Sequence, residues 1–139
     1  MITDAQTKFS DAQAVTTGTQ VSTNAYDMGV ARDIGRGRDL RIFANVGTAF
    51  TGGTSLTVNI IESANNDLSS PSVIVTGKTI AEASLTAGAS LLDVVLPTTT
   101  KRYLGLQFVT VGTHTGGTVN GGIVMNSDSN TTFPAVTGF

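Results

Sequence analysis

Lys101-Arg102-Tyr103-Leu104-Gly105-Leu106-Gln107-Phe108-Val109-Thr110-Val111 is the longest stretch of this chain that reads as one strand. Leu104, Leu106 and Phe108 recur at every second position, so in an extended chain they share one face and mark the side of a core. Val109, Thr110 and Val111 are β-branched and fit a pleated backbone better than a helix. A run of this length and apolarity is expected in the middle of a sheet.

The same alternation recurs on either side. Residues 39–46 put Leu40, Ile42, Ala44 and Val46 on one face and stop at Gly47, and residues 55–62 do so with Leu56, Val58 and Ile60. Thr51-Gly52-Gly53-Thr54 between them reads as a hairpin-like break, so these two runs are expected to pair antiparallel. Residues 20–28, 72–76, 79–83, 90–96 and 118–125 are further strand candidates. They are separated by polar or glycine-bearing breaks at 63–71, 77–78, 86–88 and 112–117. Gly121-Gly122 inside the last run calls for a bulge or the close approach of another backbone. About eight short strands with turn signals roughly every ten residues predict an all-β domain, a jelly roll or β-sandwich of antiparallel strands. No fixed period repeats, which argues against a solenoid or propeller.

The two ends read differently. Residues 1–18 are polar with isolated apolar anchors at Ile2, Phe9 and Val15, and are expected to form an extended N-terminal arm ordered by docking. A short helical stretch at residues 10–14, capped by Ser10 or Asp11, is an alternative within it. Residues 19–126 are expected to make the sandwich, and residues 127–139 a polar C-terminal tail whose anchors include Phe133 and Phe139.

With 139 residues the chain is the size of one domain, and with no cysteine it has neither disulfides nor a thiolate metal site. Only 13% of residues are charged and the formal net charge is -2, without a long run of Lys and Arg, so nucleic acid is not an expected partner. No window approaches the apolar length of a membrane span, and Met1-Ile2-Thr3-Asp4-Ala5-Gln6 lacks the basic flank and apolar stretch of a signal peptide. The expectation is a soluble protein made in the cytoplasm.

Few residues carry reaction chemistry. His114 is the one histidine and sits between threonines in a glycine-rich turn, where solvation is expected. It has no second histidine or cysteine to complete a zinc set, and Gly88-Ala89-Ser90-Leu91-Leu92 lacks the second glycine of a nucleophile elbow. Asn65-Asn66-Asp67 and Asn126-Ser127-Asp128 lack the carboxylates of an EF-hand and read as loops that bond their own backbone. An enzyme is therefore not expected, nor a cofactor. Gly35-Arg36-Gly37-Arg38 is the densest basic patch. Arg36 and Arg38 either pair locally with Asp27, Asp33 and Asp39 or reach carboxylates on a partner protein. Phe43 and Ile61, apolar on otherwise polar faces, belong either to an exposed contact patch or to the second face of a sandwich.

An ordered set of segments resembles one known family. Phe9-Ser10-Asp11-Ala12-Gln13-Ala14-Val15, Ser22-Thr23-Asn24, Ala31-Arg32-Asp33-Ile34-Gly35, Ala49-Phe50-Thr51, Leu68-Ser69-Ser70-Pro71-Ser72 and Lys101-Arg102-Tyr103-Leu104-Gly105-Leu106 look like the capsid cement, or decoration, proteins of tailed bacteriophages of the Bordetella podophage type. The likeness runs over about the first 125 residues. It implies a jelly-roll fold and a homo-oligomer, a dimer before a trimer, on the outer surface of a phage head. There it would clamp neighbouring major capsid protein subunits and stabilise the DNA-filled shell. The expected contact residues are Ile2, Phe9, Arg36, Arg38, Phe43, Phe133 and Phe139. Phe133 and Phe139 have a second reading, folding back over their own domain to close a sheet edge. The competing class is a carbohydrate- or receptor-binding jelly roll of a phage tail or fibre. Sugar sites favour aromatic platforms, and with no Trp and only Tyr26 and Tyr103 beside the phenylalanines the composition weighs against it.

Overall fold

The computed structural model of the chain describes residues 4–33 and 40–125. Ten strands lie among them: β1 (Lys8–Ala14), β2 (Thr19–Val21), β3 (Tyr26–Asp27), β4 (Arg41–Val46), β5 (Thr51–Ser63), β6 (Ser72–Val75), β7 (Thr79–Ala81), β8 (Ser90–Val95), β9 (Tyr103–Gly116) and β10 (Thr118–Val124). Single 3-10 turns at Ala5–Thr7 and Glu82–Ser84 are the remaining regular structure. One sheet has the order β1-β10-β4-β8 and the other β2-β9-β5-β6, with β3 also on β9 and β7 also on β5. Every pairing is antiparallel.

β2 and β3 lie along the same neighbour, as do β6 and β7, so each pair counts as one interrupted strand. The chain then has eight strand positions that pair in nested fashion: β1 with β10, β2/β3 with β9, β4 with β8, and β5 with β6/β7. A long hairpin rolled up on itself gives this pattern, and the result is the jelly-roll form of the β-sandwich. As expected, β9 lies inside its sheet, between β2/β3 and β5.

The inner faces follow the alternation of the sequence. Leu56, Val58 and Ile60 on β5 pair with Thr110, Phe108 and Leu106 on β9, and on the facing sheet Ile42, Ala44 and Val46 line up with Ile123, Gly121 and Val119. All of these apolar side chains are buried in one core. At Gly121 the sheets approach closely: a Cβ there would meet Leu106 Cδ1 at 2.5 Å. Gly122 accommodates a backbone instead, with Thr7 O 2.7 Å from the same position. The backbone approach expected of this glycine pair is thus present at Gly122, and the register of β1 on β10 shifts beside it, between Lys8 and Ser10.

Several readings change. β4 and β5 do not pair but lie in opposite sheets, because residues 47–50 cross from one sheet to the other. The glycines at 52 and 53 make no turn; they lie inside β5, where Gly53 leaves room for the His114 ring. β9 likewise runs on through Gly112, which adopts φ 79°, and turns only at Gly117. His114 is therefore a buried strand residue. Its ring meets Phe50 edge-on at 5.0 Å, and its Nε2 lies 3.3 Å from the Ser55 carbonyl oxygen. A carbonyl only accepts, so the proton of that bond sits on Nε2, and the buried Nδ1 has no partner.

Residues 8–14, expected within the arm and in part as a helix, are strand β1 on the edge of the first sheet. Ile61 is fully buried on the outer face of its sheet. Leu68, in a left-handed turn at φ 58°, lies over the neighbouring Gly105, whose missing Cβ provides the space. Gly77 is comparably constrained, since a Cβ on it would collide with the Val58 carbonyl oxygen, a backbone atom held in the sheet. Gly77→Ala is expected to cost about 2 kcal/mol, read as a lower urea midpoint at unchanged slope.

Candidate functional site

Antiparallel pairing brings three chain segments to one rim of the sandwich. β1 starts beside the end of β10, at Lys8 opposite Gly122, and β4 starts there too, with Arg41 opposite Val124. The segments before β1, before β4 and after β10 therefore all leave from this end. Their first described residues meet around a groove of about 660 Å³ lined by Asp4, Ala5, Thr7, Leu40, Ile123, Val124 and Met125. The lining is mostly apolar, and Met125 is 75% exposed.

Asp4 shapes one wall. Its carboxylate accepts from Gln6 N at 2.9 Å and its carbonyl from Thr7 N at 3.1 Å, which closes the turn Ala5–Thr7. The opposite wall departs from strict alternation: Ile123, Val124 and Met125 are three consecutive apolar residues, so both faces of the end of β10 are apolar. That run was the sequence signal for the groove.

Of the expected contact residues, Ile2, Arg36, Arg38, Phe133 and Phe139 lie outside the described residues. Their points of attachment do not: Ile2 is two residues before Asp4, Arg38 two residues before Leu40, and Phe133 and Phe139 follow Met125. The other two are corrected. Phe9 is fully buried in the core as part of β1, and Phe43 is buried on β4, so neither is an exposed anchor.

The local ion pairs are also reassigned. Asp27, expected opposite the basic patch, is gripped by Nε and Nη2 of Arg102 at 2.7 and 2.9 Å. The Arg102 hydrogen bonds and that from Gly29 N lower its carboxyl to about 2. Arg41 pairs across strands with Asp93 at 2.7 Å. Asp67 accepts from Ser69 N at 3.0 Å, the self-bonded loop expected at residues 65–67.

By architecture this is a jelly-roll β-sandwich with an apolar rim. The sequence profile of the Bbp16 family matches residues 9–123, and the chain belongs to that family of phage proteins. No curated protein sequence matches it significantly.

Proposed function

We propose that the protein is a capsid decoration protein, which binds the outer surface of a phage head and clamps neighbouring major capsid protein subunits. The observation that carries this reading is the rim, where Asp4, Leu40 and Met125 surround one apolar groove; in the sequence Ile2 precedes Asp4, Arg36 and Arg38 precede Leu40, and Phe133 and Phe139 follow Met125. Membership of a phage protein family supports it. Docking through an apolar groove at one end of the sandwich would leave the rest of the sandwich outside the shell. A homodimer would engage two shell subunits at once, so that individually modest contacts add up to slow dissociation under the outward pressure of packed DNA. In this role the chain performs no reaction and needs no cofactor.

Co-sedimentation with expanded heads that lack the protein tests this. Saturable binding at a fixed number of copies per shell subunit, with better head survival on heating, is the expected result. Alanine at both Phe133 and Phe139 is expected to weaken binding by about tenfold or more at unchanged melting temperature. A lower melting temperature with binding retained would instead place those rings on their own domain. No binding to heads would remove the decoration role.

A further inference from the structure

A second concavity lies across the turn Ala5–Thr7 from the apolar rim. It is an open cleft of about 720 Å³ whose lining includes Gln6, Thr23, Asn24, Tyr26, Asn66 and Tyr103. It gathers both tyrosines of the chain, 77 residues apart in sequence but brought together because β3 pairs with the start of β9. Tyr26 packs partly against the core, and Tyr103 is stacked by the Arg102 guanidinium at 5.1 Å.

The side-chain amides of the cleft are free where most others among the described residues are not. Gln13, Gln20, Asn59, Asn65, Gln107 and Asn120 each commit their side-chain amide to a bond within the protein. Among the described residues, Gln6, Asn24, Asn45 and Asn66 do not, and three of these four line the cleft.

The backbone that presents them is fixed. Asn24 N donates to Phe9 O at 3.0 Å, Thr23 N to Gln13 Oε1 at 2.9 Å, and Ser22 Oγ to Asn24 O at 2.8 Å. Asn66 sits in the loop closed by Ser63 Oγ on Ser69 O at 2.6 Å and by Asn65 Nδ2 on Ser69 Oγ at 3.0 Å. The cleft therefore offers unspent amides on an ordered frame, which keeps the ordering cost of binding low.

Its charges are already neutralised. Lys8 lies 3.3 Å from Asp11, and Asp27 is held by Arg102. An anion would find no free cation among the lining residues, and a purely apolar ligand would strand the amides. What fits is a neutral ligand whose groups each donate and accept, as a primary amide does, and which has a C–H face to lay on an aromatic ring. We propose that this cleft binds a neutral saccharide. Its volume is within the usual range for small-ligand sites. The proposal stands independently of attachment to a head.

The test is an array of neutral hexose and N-acetylhexosamine oligomers, with sialylated and sulfated glycans alongside, probed with the full chain and followed by calorimetric titration of the best neutral oligomer. Saturable binding to a neutral glycan that persists at about 0.5 M salt is expected. Asn24→Ala combined with Asn66→Ala should raise Kd by about tenfold or more at unchanged melting temperature, since both side chains are exposed and bond nothing in the protein. Asn45→Ala, the unspent amide outside the cleft, should leave binding unchanged. The proposal is overturned if no neutral glycan binds, if only anionic glycans bind and salt removes them, or if the paired substitution has no effect.

Discussion

Phe9→Ala is expected to lower stability by about 3–5 kcal/mol, a fall of roughly 10–20 °C in melting temperature for a domain of this size. The ring is fully buried and belongs to the same core as Phe108, Leu106 and Ile123. Its loss removes apolar burial and leaves a cavity between two sheets that already meet closely at Gly121. Its carbonyl also accepts from Asn24 N, so a collapsed β1 would release the loop leading into β3. Deleting residues 1–10 should be worse than the point substitution, because it removes Phe9 and the pairings of Lys8 and Ser10 with β10 and so exposes a central strand. A truncation meant to probe docking should therefore stop before Asp4, where the turn leading into β1 begins. The control is Val30→Ala at a 61% exposed side chain, expected within about 0.5 kcal/mol of the parent. A Phe9→Ala melting temperature within a few degrees of that control would mean that β1 is not part of the folded core in solution.

Phe9 also shows which features the sequence left legible. β4, β5, β8 and β9 announce themselves because the apolar residues of their core faces, such as Leu56, Val58 and Ile60 or Leu104, Leu106 and Phe108, keep the period of two. β1 does not, because its register with β10 shifts twice and Ala12 takes φ 48°, so inward positions fall out of the period of two. Glycine misled for a related reason. At Gly52-Gly53 and Gly112 it read as a turn, yet there it makes room for the His114 ring and for the close pairing of two strands. Sequence spacing does not separate those uses. The choice between an exposed patch and a second buried face stayed open for Phe43 and Ile61 because alternation reports one buried face, whereas a loop residue such as Leu68 can cover the other. The pairing of β4 with β5 failed because in this nested fold the chain changes sheets there, and only the innermost hairpin, β5 to β6/β7, keeps consecutive strand positions in one sheet.

The two concavities have a similar history. Ile123-Val124-Met125 was visible as a break in alternation, but nothing in the sequence places it beside Asp4 and Leu40; the sheet order does. Tyr26 and Tyr103 were weighed as a count, and the pairing of β3 with β9, which brings both to one cleft, was not legible. The apolar rim and the polar cleft share the turn Ala5–Thr7 as a wall, Thr7 on one side and Gln6 on the other. The two surfaces are thus adjacent but chemically separate.

Glu62→Gln is expected to cost about 3 kcal/mol near neutral pH and to remove part of the protein's acid sensitivity. Glu62 follows the inward side of β5, opposite Leu104, and is only 4% exposed. Its Oε2 accepts from Thr100 N at 2.7 Å and Lys101 N at 3.1 Å, and its Oε1 from Thr100 Oγ1 at 2.7 Å. These bonds hold the connection into β9 over the end of the core, where Thr99 Oγ1 also donates to Arg32 O at 2.8 Å. Burial by itself would raise the carboxyl, but the donors of Thr100 and Lys101 outweigh it and the net shift is below the ordinary 4.5. The folded state thus holds this proton less tightly than the unfolded chain. The stabilisation is complete above about pH 4.5 and is lost as pH falls through the depressed folded value. Glutamine keeps the shape, loses the charge, and presents either an N–H group to donors or one acceptor too few. The stability difference between the parent and Glu62→Gln, measured by urea unfolding at a series of pH values, should be largest near neutrality and shrink below pH 4.5. Asp27 and Asp67 are held low as well, but both proteins retain them, so their contributions cancel in the difference. A difference that stays constant down to acid pH would show that Glu62 acts through packing alone.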